Sequence, residues 1–251
     1  MVRPWAIQGS SVSTQNAYDW DTDNEGTQAP DFRGKENWDV QTHDVAARIA
    51  SDGGNYVLMH INFELDKSTD TVNRSPTIGR HVTPDLENIE DGINTYLAAG
   101  VTPIIYPTVI LPDFAGSQLA PERYTPSNTD AWFNSYGTHI KELAELSGKY
   151  NLPYMSIGCE LGPIATATYT QQWDALIAEV RESYSGNLWY SNFVNAHYAR
   201  DTDDDHNSDD LKNLGMVDHL SHIGFNLYTD LVAGDDGTFE DFIAGWSNSY
   251  L

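Results

Sequence analysis

The run Met155-Ser156-Ile157-Gly158-Cys159-Glu160-Leu161 is short and apolar and closes on a carboxylate. A helix-spaced stretch with Trp173, Leu176, Ile177, Val180 and Tyr184 follows it. Where strands and helices alternate into a barrel, catalytic groups stand at the C-terminal ends of the strands. Glu160 holds such a position, and a carboxyl there can give a proton and take it back. A carboxylate is seldom buried without a purpose, so Glu160 is the first candidate for chemistry.

The side-chain period of two divides each predicted strand into two faces. From Asn55, the residues Val57, Met59, Ile61, Phe63 and Leu65 share one face, and His60, Asn62 and Glu64 share the other. From Val101, Tyr106 and Thr108 oppose Ile105, Pro107 and Val109. In the Glu160 segment, Ser156, Gly158 and Glu160 oppose Met155, Ile157, Cys159 and Leu161, which predicts that Cys159 faces the helices. Tyr190 falls with Asn192, and Gly224 and Asn226 fall with Tyr228. Polar groups turned into a barrel need partners or water. Five strands with the same switch point to a polar ligand. The candidate contacts are His60, Asn62, Glu64, Tyr106, Asn192, Asn226 and Tyr228, with Trp132 as a further aromatic platform. Taken alone, His60 reads as a satisfied core histidine.

The elements that must position these groups alternate. A first strand is expected around Trp5 to Val12, and a helix from Trp38 to about Ala50. In the next predicted helix Thr83 caps, Pro84 takes the first position and Asp85 lies in the first turn. Its stripe is Leu86, Ile89, Ile93 and Leu97, and Gly100 stops it. Another helix starts near Thr129, with Trp132, Tyr136, Ile140 and Leu143 on one face. Strands follow from Asn187 and from His219, and a last helix lies near Phe239 to Trp246. Strand-helix alternation means an α/β class with a parallel sheet. Six such units are visible where a closed (β/α)₈ TIM barrel has eight. The expectation is one barrel domain over 1–251, C-terminally incomplete and stopping before strands 7 and 8, because a six-stranded sheet would leave bare apolar edges.

Composition excludes several functions. The chain carries 37 acidic residues against 13 basic, a formal net charge of -24. Such a surface repels nucleic acid and anionic membranes. Salt screens that self-repulsion, so a halophilic, high-salt setting is predicted. No run approaches the length of a membrane span. The start, MVRPWAIQGSSVS, shows no continuous apolar signal region, which leaves cytoplasmic and secreted locations open. The single cysteine, Cys159, forbids an intrachain disulfide. His219 and His222, three apart on one predicted strand, point to opposite faces and make a poor metal pair. Asp201, Asp203 and Asp205 resemble the start of a calcium loop, but His206 and Lys212 stand where that loop needs Gly and Glu, so a solvated acidic loop is expected. There is no G-x-G-x-x-G, Walker loop or G-x-S-x-G. No metal and no cofactor are predicted.

With these residues placed, the chain resembles the retaining glycoside hydrolases with a (β/α)₈ barrel, and among them the endo-β-1,4-mannanase-like family. That family's fourth strand reads roughly I-G-T-E-L, and Ile157-Gly158-Cys159-Glu160-Leu161 is similar to it. The segments WDALIAEVRESYSGNLWYSN and VDHLSHIGFNLYTDL resemble the helix, fifth strand and sixth strand that follow. The resemblance covers about residues 85 to 231. It implies a carbohydrate substrate and makes Glu160 the general acid/base. Its nucleophile, a Glu ending the seventh strand, has no counterpart here and is expected beyond Leu251. Glu64 and Asp230, on other strands, are possible sugar contacts. Cys159 stands where the wider clan usually has Asn. The alternative is a non-catalytic carbohydrate-binding barrel, and an unrelated α/β barrel enzyme is a third reading.

Overall fold

The computed structural model describes residues 9–12, 42, 45–74, 83–110, 124–194 and 213–227. Strand β1 (Gly9–Val12) is followed by helix α1 (45–51) and the long strand β2 (Tyr56–Asp66). The short strand β3 (Thr71–Asn73) then turns back antiparallel on the end of β2. Helix α2 (Leu86–Ala98), β4 (Thr102–Ile110), helix α3 (Thr129–Lys149) and β5 (Tyr154–Cys159) come next. Helix α4 (Thr170–Ser183), β6 (Asn187–Val194) and β7 (His222–Leu227) complete the described chain. The spatial order is β1-β2-β4-β5-β6-β7, every neighbouring pair parallel, with β3 off the path. Each crossover therefore leads to the adjacent strand, as in a (β/α) barrel. The α/β class with a parallel sheet stands as expected, and the β3 hairpin is an addition that periodicity did not reveal.

The core lies between this sheet and the helices. Val57, Met59, Ile61, Phe63 and Leu65 of β2 are all buried in it, as the alternation predicts. Each such side chain contributes roughly 1.5–3 kcal/mol on burial. Trp132, Tyr136, Ile140 and Leu143 of α3 pack there, as do Trp173, Leu176, Ile177, Val180 and Tyr184 of α4 and its C-cap.

Helix α2 departs from its prediction at both ends. Asp85, not Thr83, is the N-cap, because its carboxylate accepts from the Asn88 amide at 2.8 Å. The Thr83 hydroxyl donates instead to the Asn62 carbonyl. At the other end Tyr96 is buried while Leu97 is 37% exposed, so the stripe runs through Asn88, Ile89, Gly92, Ile93 and Tyr96. Gly100 does stop the helix, at φ +77.

Asp70 ties the β3 turn to α3. It stands at φ +55, and its buried carboxylate accepts from the Ser127 hydroxyl at 2.6 Å, from the Asn128 amide at 2.8 Å and from the Tyr124 hydroxyl. Burial pushes this carboxyl up, and the hydrogen bonds outweigh it and hold the pKa below the usual value. Among the described residues no helix is long and apolar enough to cross a membrane.

Candidate active site

Glu160 follows the last residue of β5 directly and is half-buried. Its backbone is left-handed, with φ +50. For a residue with a side chain this conformation costs on the order of 1–3 kcal/mol and persists only where the surroundings over-determine it. Two bonds from β6 do so: the Glu160 amide donates to the Ser191 carbonyl at 3.0 Å, and the Leu161 amide to the Tyr190 hydroxyl at 2.9 Å.

Just before Glu160 the strand is irregular. Ser156 is in register with Trp189 of β6, but the next partners are Cys159 and Ser191, so β5 spends one residue more than β6. Such a bulge re-aims the side chains beyond it. The Ser156 hydroxyl braces it locally: it donates to the Gly158 carbonyl at 2.9 Å and accepts from the Gly158 amide at 3.2 Å. Gly158 fits because a Cβ there would lie 2.6 Å from Leu161 Cδ1 and 3.1 Å from the Tyr136 hydroxyl. The Tyr136 hydroxyl also donates to the Ile157 carbonyl at 2.7 Å, which pins the strand to α3.

The bulge corrects the expected orientation of Cys159. The residue does not face the helices. Its sulfur accepts from the Tyr106 hydroxyl at 3.0 Å, on the sheet face opposite the core. Tyr106 stands in register with His60, their rings 4.5 Å apart, and meets the Trp189 ring edge-on at 6.0 Å. Trp189 Nε1 donates to the Ser191 hydroxyl at 2.8 Å. A side chain at Gly224 of β7 would strike that hydroxyl at 2.8 Å. His60, Tyr106, Cys159, Trp189, Ser191 and Gly224 therefore share the inner face. Burial pushes His60 down to about 4, so its imidazole is neutral at pH 7.

The structure brings together some of the predicted contacts and separates others. His60 and Tyr106 touch. Asn62 is buried on β2, in register with Thr108, and Glu64 near the strand's end is in register with Ile110 and Asn73. Asn192 shares its parity with Leu188 and Tyr190, both in the helix-side core, and is 1% exposed. It pairs with Phe225, whereas Asn226 pairs with Phe193, so the two asparagines are one residue out of step. Tyr228, Asp230, the acidic stretch from Asp201 and the helix expected near Phe239 lie outside the described residues. Trp132 is not a sugar platform. It is 2% exposed, stacked on Tyr136 at 4.6 Å and edge-on to Trp173 at 6.4 Å within the helix layer. His219 lies on a 3-10 turn (Val217–His219), not on a strand, and its Nε2 is 2.7 Å from an Asp174 carboxylate oxygen. Among the described residues no group of three or more His, Cys, Asp or Glu side chains could hold a metal ion.

Trp189 and Ser191 were missed. Their signal was the pair Leu188 and Tyr190, whose bulk claims the core side of β6 and leaves the alternate positions to the inner face.

A model of Glycoside Hydrolase Family 113 matches residues 37–232, most of the chain. Among solved structures, a GH113 β-1,4-mannanase complex is similar at 22% identity and a TM-score of 0.54, over 75% of this chain and 57% of that one. A second GH113 β-1,4-mannanase structure is similar at 20% identity and a TM-score of 0.53, with the same coverages. The GH113 β-mannanase AaManA from Alicyclobacillus acidocaldarius is 20% identical over 62% of this chain and 50% of that one, with a TM-score of 0.49. The chain thus spans little more than half the length of these structures. Comparison with curated proteins gives no match.

Proposed function

The chain belongs to Glycoside Hydrolase Family 113, and from that premise we propose that Glu160 is the general acid/base of a retaining glycosidase acting on β-linked mannan-type polysaccharide. The observation that carries this reading is Glu160, the carboxylate set at the C-terminal end of β5 by a strand bulge and a left-handed turn. In the reaction its carboxyl protonates the glycosidic oxygen as the leaving sugar departs, then as carboxylate takes a proton from the incoming water. The similar structures named β-1,4-mannanases support the choice of sugar.

A retaining pair needs carboxyls about 5–5.5 Å apart. Glu64 lies near the end of β2, and β4 stands between β2 and β5. The resemblance puts the nucleophile at the end of a seventh strand and not on β2, so Glu64 is assigned to sugar hydroxyls. His60, Asn62 and Tyr106 line the same face as neutral donors and acceptors. The nucleophile is assigned to no described residue, and the alternative to be excluded is a barrel that binds carbohydrate without cleaving it.

Glu160→Gln separates the two. On β-mannan the hydrolase reading expects turnover to fall by about 10²–10⁴-fold with oligosaccharide binding retained by calorimetry. Binding without turnover in the parent protein selects the second reading. Full activity in Glu160→Gln removes Glu160 from the mechanism. The net charge of -24 adds the proposal of a high-salt working environment, in which counter-ions screen like charges within about 3 Å at 1 M. A melting series in KCl tests it, and a melting temperature indifferent to salt refutes it.

A further inference from the structure

We propose that Tyr190 is the positioning residue of Glu160: its buried hydroxyl, with the Ser191 carbonyl, holds the left-handed turn that sets where the Glu160 carboxyl stands. The assignment rests on the acid/base reading of Glu160.

The turn has an unusual backbone. φ is +50 at Glu160, -81 at Leu161 and +59 at Gly162. Alternation of sign turns successive amide N–H groups toward one side and makes a concavity suited to a negatively polarised atom. Strand β6 fills it with two oxygens, the Ser191 carbonyl 3.0 Å from the Glu160 nitrogen and the Tyr190 hydroxyl 2.9 Å from the Leu161 nitrogen. The first is backbone and the same for any residue. The second depends on one side chain. Tyr190 is fully buried among the helix-side core residues, so its ring is fixed and its oxygen is delivered to one place. Phenylalanine at 190 fills the same volume and removes only that oxygen. The turn keeps the Ser191 bond and loses the Tyr190 bond, and Glu160 is released toward ordinary φ. A misplacement on the order of 1 Å costs an oriented catalytic group about 10²-fold in rate.

Tyr190→Phe in the full chain is the test, with Tyr184→Phe as control. Tyr184 is equally buried, but its hydroxyl reaches the Asn187 carbonyl at 3.4 Å, away from the turn. Amide hydrogen exchange is read first. Exchange at Leu161 and Glu160 accelerates by about tenfold or more in Tyr190→Phe while the other β5 amides keep their protection, and Tyr184→Phe leaves both unchanged. Hydrolysis is read second, on β-mannosides whose leaving groups differ in acidity. An alkyl leaving group needs the proton from Glu160, so its turnover falls by about 100-fold, whereas a dinitrophenyl leaving group departs without it and changes by less than about threefold. Unchanged exchange at Leu161, or equal losses on both substrates, overturns the proposal. The exchange result decides whether or not the chain turns over substrate. Glu160→Gln with parental activity on the alkyl substrate instead overturns the acid/base reading and leaves the exchange result standing.

Discussion

Strands β2 and β4 run in register without interruption from Tyr56 and Thr102 to Glu64 and Ile110, whereas β5 and β6 lose register between Ser156 and Cys159. The first pair carries candidate sugar contacts, among them His60 and Tyr106, and obeys a period of two along its whole length. The second carries the candidate catalytic residue and breaks the period between Ser156 and Cys159, shortly before it. The difference teaches where a rule of alternation stops being safe. A strand whose side chains only alternate between core and inner face keeps its pleat. A strand that must turn a carboxylate in a particular direction spends a residue to do so.

The sharpest way to test that contrast is at Phe63 in the regular pair. Its ring stacks on His139 of α3 at 4.7 Å and 11°. Phe63→Ala is expected to cost about 3–5 kcal/mol in chemical denaturation, with little effect on the rate per folded molecule. A loss under about 1 kcal/mol would mean that this half of the sheet is not the rigid scaffold.

His60 gives the next largest effect. Its folded-state pKa of about 4 lies below the ordinary imidazole value of 6.5. The fold favours neutral imidazole, so the contribution is complete above pH 6.5, shrinks as pH falls from there toward 4, and is lost below. Since a tenfold change in proton affinity is about 1.36 kcal/mol, the loss is on the order of 3 kcal/mol. The difference in unfolding free energy between the parent and His60→Gln, followed from pH 7.5 to 4, should change by that amount. A pH-independent difference would show that His60 is not held neutral by burial.

At the bulge, Gly158→Ala places a methyl against Leu161 and the Tyr136 hydroxyl. Leu161 can swing away, so we expect about 1–2 kcal/mol of destabilisation together with a clear loss of turnover, the reverse of Phe63→Ala. Full turnover in Gly158→Ala would end the claim that the bulge aims Glu160. Smallest is Tyr106→Phe. It removes a donor to a sulfur, a weak acceptor, and should cost about 0.5–1 kcal/mol. A larger cost would mean that the inner face, like the turn, is held by specific hydrogen bonds.

The order of elements was legible in the sequence because it follows from burial. Trp132, Tyr136, Ile140 and Leu143 mark α3, and Trp173, Leu176, Ile177 and Val180 mark α4, since an amphipathic helix has one way to cover a sheet. The position of Glu160 at a strand end was legible for the same reason. What escaped were choices decided by a single hydrogen bond. Asp85 takes the cap from Thr83 because the Asn88 amide is within reach of its carboxylate. The Ser156 hydroxyl captures Gly158 and flips the parity of Cys159. The polar character of Tyr190 and Asn192 suggested an inner face, but the register puts them with the core. Trp132 read as a platform until its neighbours Tyr136 and Trp173 closed over it.

The aromatic layer under α3 and α4 has an optical consequence. Trp132 and Trp173 sit with ring centroids 6.4 Å apart and planes inclined at 66°, close enough for their indole transitions to couple. The protein should therefore show a split near-ultraviolet dichroism band that disappears when specific packing is lost. Trp132→Phe removes that band. The two indoles lie in the helix layer, on the other side of the sheet from His60 and Tyr106, so added oligosaccharide leaves the band in place. Among the described residues Trp189, beside Tyr106, is then the indole whose emission is expected to respond to added oligosaccharide.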